Sequence, residues 1–223
     1  MGIFRGPNIV REGLILNLDA SSLRSYPGSG TVWTDLGPNN LSFSLVNGTS
    51  YNSSNKGVMY FDTTDDYATA SAHSSFAFGT GDFTIDAWVK PTQLSNTYTH
   101  ILALPQQDTF ALKINVNGGE VYFYSSGFTT YGSTNGWTVT QDQWNHVVLV
   151  RSSSVAYAYL NGVSKGSKSG FSNSFTSQII NIHNGWGSEY AEMYLGPLKV
   201  YNTALSSDQV LQNYNAHKER FDL

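Results

Sequence analysis

Three aspartates lie within five residues of this chain, and carboxylate oxygens are the ligands that hard divalent cations prefer. The segment FDTTDDY carries Asp62, Asp65 and Asp66. Carboxylates this close together repel one another, and a calcium ion with oxygen ligands would relieve that repulsion. Aspartate also favours tight turns through hydrogen bonds to its own backbone, and the segment lacks the regular alternation of an EF-hand loop. The pattern therefore leaves two interpretations open, a calcium site and a turn without metal.

Paired carboxylates that could hydrolyse a glycosidic bond are harder to find. Such a pair flanks the bond with its carboxyl groups about 5–9.5 Å apart. The nearest approximations are Asp82 with Asp86 and Glu189 with Glu192. Asp82 precedes its predicted strand, so only Asp86 would face a groove, and a spacing of three places Glu189 and Glu192 on opposite faces of a strand. We expect all of them to be exposed structural carboxylates and the protein to have no catalytic residues.

Other catalytic signatures are also missing from the sequence. The five histidines are scattered without metal-ligand spacing, and the chain has no cysteine that could complete a zinc site. No G-x-S-x-G segment marks a serine nucleophile. These absences favour a binding or structural protein over an enzyme.

Aromatic residues in turn-like segments are the candidates for ligand contact. Trp137 follows STNG and Trp186 lies in HNGWGSEY, while Tyr131 and Tyr98 lie in similar polar segments. Exposed aromatic rings suit the apolar faces of sugars, and they are also typical of protein interfaces. We therefore predict these four residues as ligand-binding, with assembly contacts or packing as alternatives. For the two tryptophans we expect assembly contacts first, glycan contact second and a core position third.

Short alternating apolar runs bounded by Gly, Asn, Asp and Pro position these residues on strands and turns. The predicted strands cover residues 13–19, 41–46, 58–61, 67–71, 83–90, 100–104, 110–116, 121–124, 145–151, 155–160, 178–182 and 193–201. Asn117-Gly118 and Asn161-Gly162 are typical of tight hairpin turns, because Asn and Gly readily adopt positive φ. A dozen short strands separated by turn signals predict a two-sheet sandwich.

One helix is predicted near the end of the chain. Ser206 and Gln209 match a capping box, in which the serine caps the helix and the glutamine reaches back. Val210, Leu211 and Tyr214 then recur at helical spacing. We expect a short C-terminal helix that covers one edge of the sandwich.

Five segments in order resemble one known family over about residues 6–221. They are GLILNLDASSLRSYPGSGTVWTDLGPNN, VMYFDTTDDY, GDFTIDAWVKP, WNHVVLVRSSSVAYAYLNGVSKG and GPLKVYNTALSSDQVLQNYNAHKERF. Together they resemble the laminin-G-like, concanavalin A-like lectin and glucanase jelly rolls, of the kind found in tailed-phage structural proteins. The resemblance implies an all-β, two-sheet antiparallel jelly-roll sandwich with a short C-terminal helix. It implies a single domain over residues 1–223, with residues 1–10 as an N-terminal arm, and relatives of this family often hold calcium at the sandwich rim.

The function that this resemblance implies is a non-catalytic virion structural or decoration protein that adheres to glycans. A cellular carbohydrate-binding lectin module is the alternative, and a divergent glycoside hydrolase or lyase is the third possibility. The expected partners are other virion proteins of the capsid or tail, further copies of the chain, and surface glycans. A fold does not fix a function, so these remain expectations.

Composition limits the partners further. Charged residues make up 13% of the chain, against roughly a quarter in average soluble proteins, so the surface must draw its polar groups from Ser, Thr, Asn and Gly. A net charge of −4 gives no sign of the excess positive charge that is typical of nucleic-acid-binding proteins. No run approaches the ~18 apolar residues of a membrane span, and the apolar stretch at residues 14–18 is too short for a signal peptide. We therefore expect no membrane insertion and a protein made in the host cytoplasm and carried in the virion, or else a cytoplasmic one.

Overall fold

The computed structural model describes residues 7–92, 98–104, 110–115, 118–125, 128–131, 137–184 and 190–223. These residues contain sixteen strands and one α-helix. In chain order they are β1 (Leu14–Leu18), β2 (Val32–Thr34), β3 (Ser42–Val46), β4 (Ser50–Asn52), β5 (Val58–Phe61), β6 (Tyr67–Ala70), β7 (Phe83–Pro91), β8 (Tyr98–Leu104), β9 (Phe110–Asn115), β10 (Glu120–Ser125), β11 (Phe128–Tyr131), β12 (Asn145–Ser152), β13 (Val155–Leu160), β14 (Val163–Ser169), β15 (Asn181–Ile182), β16 (Met193–Tyr201) and α1 (Ser207–His217).

The strands pair into two antiparallel sheets. Sheet A has the order β14-β13-β12-β7-β16-β5-β4, and β1 pairs with the second half of β16. Sheet B has the order β11-β10-β9-β8-β15-β6-β3-β2. The predicted all-β sandwich of two antiparallel sheets with a short C-terminal helix is confirmed.

The main core lies between the two sheets, and strand alternation decides which side chains enter it. On β7, Phe83, Ile85, Ala87 and Val89 belong to this core. The intervening residues, Asp86 among them, point to the outer face of sheet A. This outer face is also covered over much of its area, so β7 is buried on both sides.

The helix α1 covers part of the outer face of sheet A. Its capping box is present as predicted, since the Ser206 hydroxyl accepts from Gln209 N and the Gln209 side chain accepts from Ser206 N. Val210 packs on Val148 and Val150 of β12. Phe221, in the 3-10 turn that follows the helix, stacks on Trp88 with ring centroids 4.5 Å apart. None of the helices among the described residues is long and apolar enough to cross a membrane.

The described end of the predicted N-terminal arm packs against this helix. Val10 N donates to Asn213 Oδ1 at 2.8 Å, and Gln212 Nε2 donates to Asn8 O at 2.6 Å. Val10 itself is buried in the cluster beneath the helix. The segment from Asn8 onward is therefore attached to the sandwich.

Candidate functional site

The turn between β5 and β6 brings the three predicted aspartates together. Asp62, Asp65 and Asp66 each offer one carboxylate oxygen, and these oxygens all lie within 4.8 Å of one another. Calcium binds its oxygen ligands at about 2.3–2.6 Å, so ligands on opposite sides of one ion are about 5 Å apart. The spacing of the three oxygens fits a single calcium ion. We refer to these three residues as the rim acids, because they lie in the turn that leads from β5 of sheet A to β6 of sheet B.

Asp66 is the inner member of the rim acids. It is 1% exposed, and its Oδ2 accepts a hydrogen bond from Asp62 N at 3.0 Å. Its Oδ1 is buried and has no hydrogen-bond partner in the described part of the chain. Burial raises the pKa of Asp66, and so do the charges of Asp62 and Asp65, although the hydrogen bond from Asp62 N opposes them. A buried carboxylate oxygen without a partner is costly in itself, and a cation beside it would remove that cost.

The backbone next to Asp66 leaves room for this carboxylate only because Gly48 has no side chain. A Cβ atom at position 48 would lie 2.9 Å from Asp66 Oδ1, and the φ of Gly48 is +151°. Any other residue here would press on Asp66 Oδ1. The approach of the β3–β4 turn therefore helps to fix the position of Asp66 Oδ1.

The outer side of the rim acids is open to solvent. Asp65 is exposed and Asp62 is half-buried, in contrast to Asp66. The turn also contains the hydrogen bond that a turn without metal requires, from Thr64 N to Asp62 Oδ1 at 2.8 Å. That bond accounts for Asp62 but leaves Asp66 Oδ1 unexplained. The residues present fit a calcium ion whose inner ligands come from the protein and whose outer positions face solvent.

His183 attaches the backbone of Asp66 to the segment before β16. Its Nδ1 lies 2.8 Å from Asp66 O and its Nε2 lies 2.8 Å from Ala191 O. Burial lowers the pKa of His183, against the opposing effect of these two carbonyl contacts. A neutral imidazole can donate to only one of the two carbonyls. The ring thus lies between the carbonyl groups of Asp66 and Ala191 and connects the turn of the rim acids to the segment before β16.

Tyrosines surround the rim acids. Tyr60 donates its hydroxyl to Glu192 Oε1 at 2.7 Å, and burial together with Glu192 raises the pKa of Tyr60. Tyr190 packs against His183 with ring centroids 5.7 Å apart, and its pKa is raised by burial and by the charge of Asp65. Both tyrosines are partly exposed. The rim thus combines carboxylate oxygens with amphipathic rings within a few residues of one another in space.

Trp137 does not occupy the exposed position that we predicted. It is 1% exposed, lies in the core between the sheets, and donates from Nε1 to Tyr159 O at 3.1 Å. Its backbone carbonyl accepts from Val121 N at 2.8 Å, which draws the residue onto the edge of β10. The Gly and Asn residues that suggested a loop precede Trp137, and the indole itself fills the interior. The prediction of a ligand or assembly contact at Trp137 is wrong, because a buried ring offers no face to a partner.

The other predicted ligand residues are divided between different places. Tyr98 is partly exposed on sheet B, where Lys113 Nζ lies 3.9 Å from its ring centroid and the Tyr122 ring lies 5.7 Å away. The strand register places Tyr131 opposite Tyr122. Trp186 lies outside the described residues. Tyr98 and Tyr131 are therefore both neighbours of Tyr122 on sheet B, whereas the Trp137 indole is buried in the core.

Asp86 corrects a second expectation, because it is completely buried beneath α1. Its Oδ1 lies 3.1 Å from Lys199 Nζ and 3.2 Å from His146 Nε2, and its Oδ2 accepts from Asn213 Nδ2 at 2.8 Å. Burial would raise the pKa of Asp86, but Lys199 and His146 with the Asn213 hydrogen bond hold it well below the usual range. The predicted partner, Asp82, instead accepts from Ser153 N at 2.9 Å. These two acids do not form an accessible pair.

Only one member of the second predicted pair, Glu192, lies among the described residues. Glu192 lies just before β16 and is engaged with Tyr60. Glu189 lies outside the described residues. Among the described residues, neither predicted pair therefore brings two free carboxylates to one groove.

The family and the fold are both recognised among known proteins. A family model described as Laminin_G_3, concanavalin A-like lectin/glucanases superfamily, matches residues 62–211, which is more than half of the chain. No curated protein sequence matches the chain. The matched segment includes the rim acids, β7, β12, β16 and most of α1.

Three solved structures illustrate the likeness in fold. The binding domain of Paraclostridial Mosquitocidal Protein 1 superposes with a TM-score of 0.73 at 15% identity, over 92% of this chain and 52% of that one. The receptor-binding domain of botulinum neurotoxin type G gives 0.68 at 15% identity, over 91% and 51%. Trypanosoma rangeli sialidase gives 0.71 at 15% identity, over 93% and 33%. The chain thus spans about half the length of the two toxin domains and a third of the sialidase. At these identities the likeness shows the fold alone.

Proposed function

The chain belongs to the concanavalin A-like lectin/glucanase superfamily, and from that premise we propose that it is a non-catalytic carbohydrate-binding module whose site is the calcium-dependent rim at Asp62, Asp65 and Asp66. The observation that carries this proposal is the approach of three carboxylates to within 4.8 Å of one another, one of which, Asp66, has a buried Oδ1 without a hydrogen-bond partner among the described residues. The alternative of a turn without metal leaves it unsatisfied.

The arrangement of the rim acids separates an inner side from an outer side. Asp66 is supported from within by Asp62 N and by the His183 contact to its backbone. Asp65 faces solvent. Asp62, Asp65 and Asp66 would hold a calcium ion whose two positive charges offset two of the three carboxylate charges, and the ion would supply coordination positions for oxygen ligands such as sugar hydroxyls.

Tyr60 and Tyr190 give the rim the second property that sugar binding requires. Each presents a partly exposed ring beside the rim acids. A tyrosine ring packs against the apolar face of a sugar while its hydroxyl remains able to hydrogen-bond. Glu192 accepts from the Tyr60 hydroxyl and so holds that ring in one orientation. Oxygen ligands and aromatic faces at one rim favour a hydroxyl-rich ligand.

The positions of Asp86 and Asp82 support the proposal that the module is non-catalytic. Asp86 is sealed under α1 by Lys199, His146 and Asn213, so it cannot reach a substrate. Asp82 is bonded to a different loop. Glycoside hydrolysis needs a general acid and a second carboxylate on either side of one bond. Asp86 and Asp82, which the sequence suggested as a pair, therefore do not support a divergent hydrolase or lyase.

The place of the module in a virion stays a prediction that rests on the sequence resemblance. A decoration protein would bind assembled capsid or tail proteins as well as further copies of itself. Purified capsids or tails that lack this chain should then take it up at a fixed stoichiometry. Uptake by no such particle would leave the cellular lectin module as the better assignment.

The experiment that tests the proposed function is a glycan panel screened with the full chain in three buffers. We expect binding to a subset of glycans in millimolar calcium and loss of that binding in chelator. Magnesium should restore it poorly, because magnesium demands octahedral geometry at about 2.1 Å and gives up its waters reluctantly. Binding to no glycan in calcium, or binding that is equal with calcium and chelator for every glycan, would contradict the proposal.

A further inference from the structure

A groove that was not predicted from the sequence lies on the outer face of sheet A, beside the 3-10 turn Lys218–Phe221. It consists of two adjoining depressions with volumes of about 470 and 230 Å³. Asn55, Lys90 and Trp144 line both of them. We call it the Trp144 groove. It is separate from the rim acids, although the Tyr194 ring at its wall lies 5.1 Å from the Tyr60 ring.

The base of the Trp144 groove is held by fixed contacts. Trp144 packs on Phe221 with ring centroids 4.3 Å apart and donates from Nε1 to Asn55 Oδ1 at 3.0 Å. Asn55 Nδ2 donates to Arg220 O at 3.0 Å, and Arg220 Nε donates to Asn55 O at 2.6 Å. These reciprocal bonds leave the base with little freedom to rearrange.

Asn55 is also held in an unusual backbone conformation. Its φ is +48°, and the φ of the next residue, Lys56, is +65°. Two successive non-glycine residues in the left-handed region cost free energy, and such strain persists where surrounding contacts impose it. The contacts of Arg220 and Trp144 impose it here. Backbone strain of this kind is concentrated at ligand-binding sites, so it favours a ligand-binding role for the groove.

The open wall of the Trp144 groove carries polar side chains that the fold does not use. Lys90 Nζ lies 5.6 Å from the Tyr194 ring centroid and makes no hydrogen bond or ion pair with any described residue. The side chains of Asp142 and Gln143, both exposed at the same groove, likewise make none within the described part of the chain. An ammonium donates only, a carboxylate accepts only, and an amide does both. Lys90 lies beside the partly exposed Tyr194 ring in one depression, and Asp142 and Gln143 line the adjoining one, so the groove as a whole presents donors, acceptors and an aromatic ring.

The charges along the groove indicate which ligand suits it. Lys90 is the one cation among its lining residues, while Asp142 and Asp222 supply two carboxylates. An anionic ligand would be repelled by these carboxylates. A neutral ligand rich in hydroxyl groups can accept from Lys90 and donate to Asp142 at once, and it can lie against the Tyr194 ring. Because the ligand contacts are direct, no ion is required.

We infer that the Trp144 groove is a second, calcium-independent binding site for a neutral saccharide. The inference rests on carbohydrate binding as the function of the chain, but not on the rim acids or on calcium. The two sites lie on neighbouring surfaces of one rigid sandwich. A polymer that reached both would be held by two linked contacts, which raises its apparent affinity without any new interaction.

The test uses the full chain in chelator, where the rim acids hold no metal. Neutral oligosaccharides of glucose, galactose and mannose are immobilised together with sialylated and uronic-acid oligosaccharides. We expect at least one neutral oligosaccharide to bind, and the acidic ones to bind less well. Gln143→Ala and Asp142→Asn should each weaken that binding about tenfold, the factor that corresponds to about 1.4 kcal/mol. Both residues are exposed, so their melting temperatures should match the wild type.

Tyr194→Ala should abolish the binding, and Tyr157→Ala serves as the matched control on the same face of sheet A. Tyr157 is partly exposed on β13 and does not line the groove. Tyr157→Ala should bind as the wild type does. No neutral oligosaccharide bound in chelator, or binding that Gln143→Ala and Asp142→Asn leave unchanged, would overturn the inference. Loss of calcium-dependent binding in an Asp66→Asn variant with retention of binding in chelator would separate the two sites.

Discussion

Asp86 on β7 and Lys199 on β16 lie directly opposite each other on neighbouring strands, with Lys199 Nζ 3.1 Å from Asp86 Oδ1. Both side chains are completely buried. Asn213 of α1 donates to the second oxygen of the same carboxylate at 2.8 Å, so this ion pair also fixes the helix to sheet A. The acid that most resembled a catalytic residue in the sequence is therefore part of the attachment of the C-terminal helix.

Removing the Asp86 carboxylate should be strongly destabilising. Asp86→Ala leaves the Lys199 ammonium buried without a counterion, and breaking a buried pair in this way costs about 3–5 kcal/mol. The measurement is the free energy of unfolding from urea denaturation. The double variant Asp86→Leu with Lys199→Met should recover much of the loss, since apolar residues of similar volume need no counterion. A loss below about 1 kcal/mol in Asp86→Ala would show that the pair is not buried as described.

His217 should make the protein less stable as the pH falls. Burial, and next the charge of Lys199, lowers the pKa of His217 from its ordinary 6.5 to about 3. Between these two values the unfolded chain binds a proton that the native chain does not, so stability present above about pH 6.5 declines toward pH 3. Buried His183, whose pKa is also lowered, acts in the same direction.

The His217 contribution can be isolated by substitution. Melting temperatures of the wild type and His217→Gln are measured between pH 4.5 and pH 7, above the range in which carboxylates take up most of their protons. The melting temperature of the variant should fall less steeply with decreasing pH. Parallel curves for the two proteins would mean that His217 titrates in the native state much as it does in the unfolded one.

Trp137→Ala should behave as a core truncation. The indole is enclosed between the sheets, and emptying such a position costs about 3–5 kcal/mol. Urea denaturation measures this cost directly. Trp137→Phe retains most of the ring and should lose clearly less. Unchanged stability of Trp137→Ala together with weakened glycan binding would contradict the core assignment and identify Trp137 as a ligand-binding residue.

Calcium should stabilise the folded chain through the rim acids. A ligand that binds only the native state raises the melting temperature as its concentration exceeds its dissociation constant. Millimolar calcium added to chelated wild-type protein should therefore raise the melting temperature. Asp66→Asn should remove this increment, and Asp208→Asn, which neutralises an exposed aspartate in the first turn of α1, should retain it. Identical melting curves with and without calcium would favour the turn without metal.

Local patterns predicted those parts of the fold that depend on local sequence. β5, β13 and β16 begin and end where alternation placed them, and the Ser206 capping box starts α1 at Ser207. The Asn161-Gly162 turn has the positive φ values, 51° and 76°, that the dipeptide predicted. In each case the signal and the structure it specifies lie within a few residues of each other.

Features that depend on contacts distant in sequence could not be predicted in this way. β2 and β4 are three residues long and exist through pairing with β3 and β5. The burial of Asp86 depends on a helix that begins more than 100 residues later in the chain. The rim acids were recognisable because all three occur in one turn, whereas the Trp144 groove draws Asn55, Lys90 and Trp144 from separate segments. A single sequence gives no sign that such residues meet.

The most direct test of the central proposal is a calorimetric titration of the best calcium-dependent glycan into wild-type, Asp65→Asn and Asp208→Asn proteins, each in calcium and in chelator. Asp65 is the exposed rim acid, so its neutralisation should leave the fold intact while it weakens the site. The wild type and Asp208→Asn should bind the glycan equally in calcium, Asp65→Asn should bind about tenfold or more weakly, and in chelator all three should lose this binding. Equal affinity of Asp65→Asn and wild type in calcium, or binding by the wild type that chelator does not weaken, would contradict a calcium-dependent carbohydrate site at the rim.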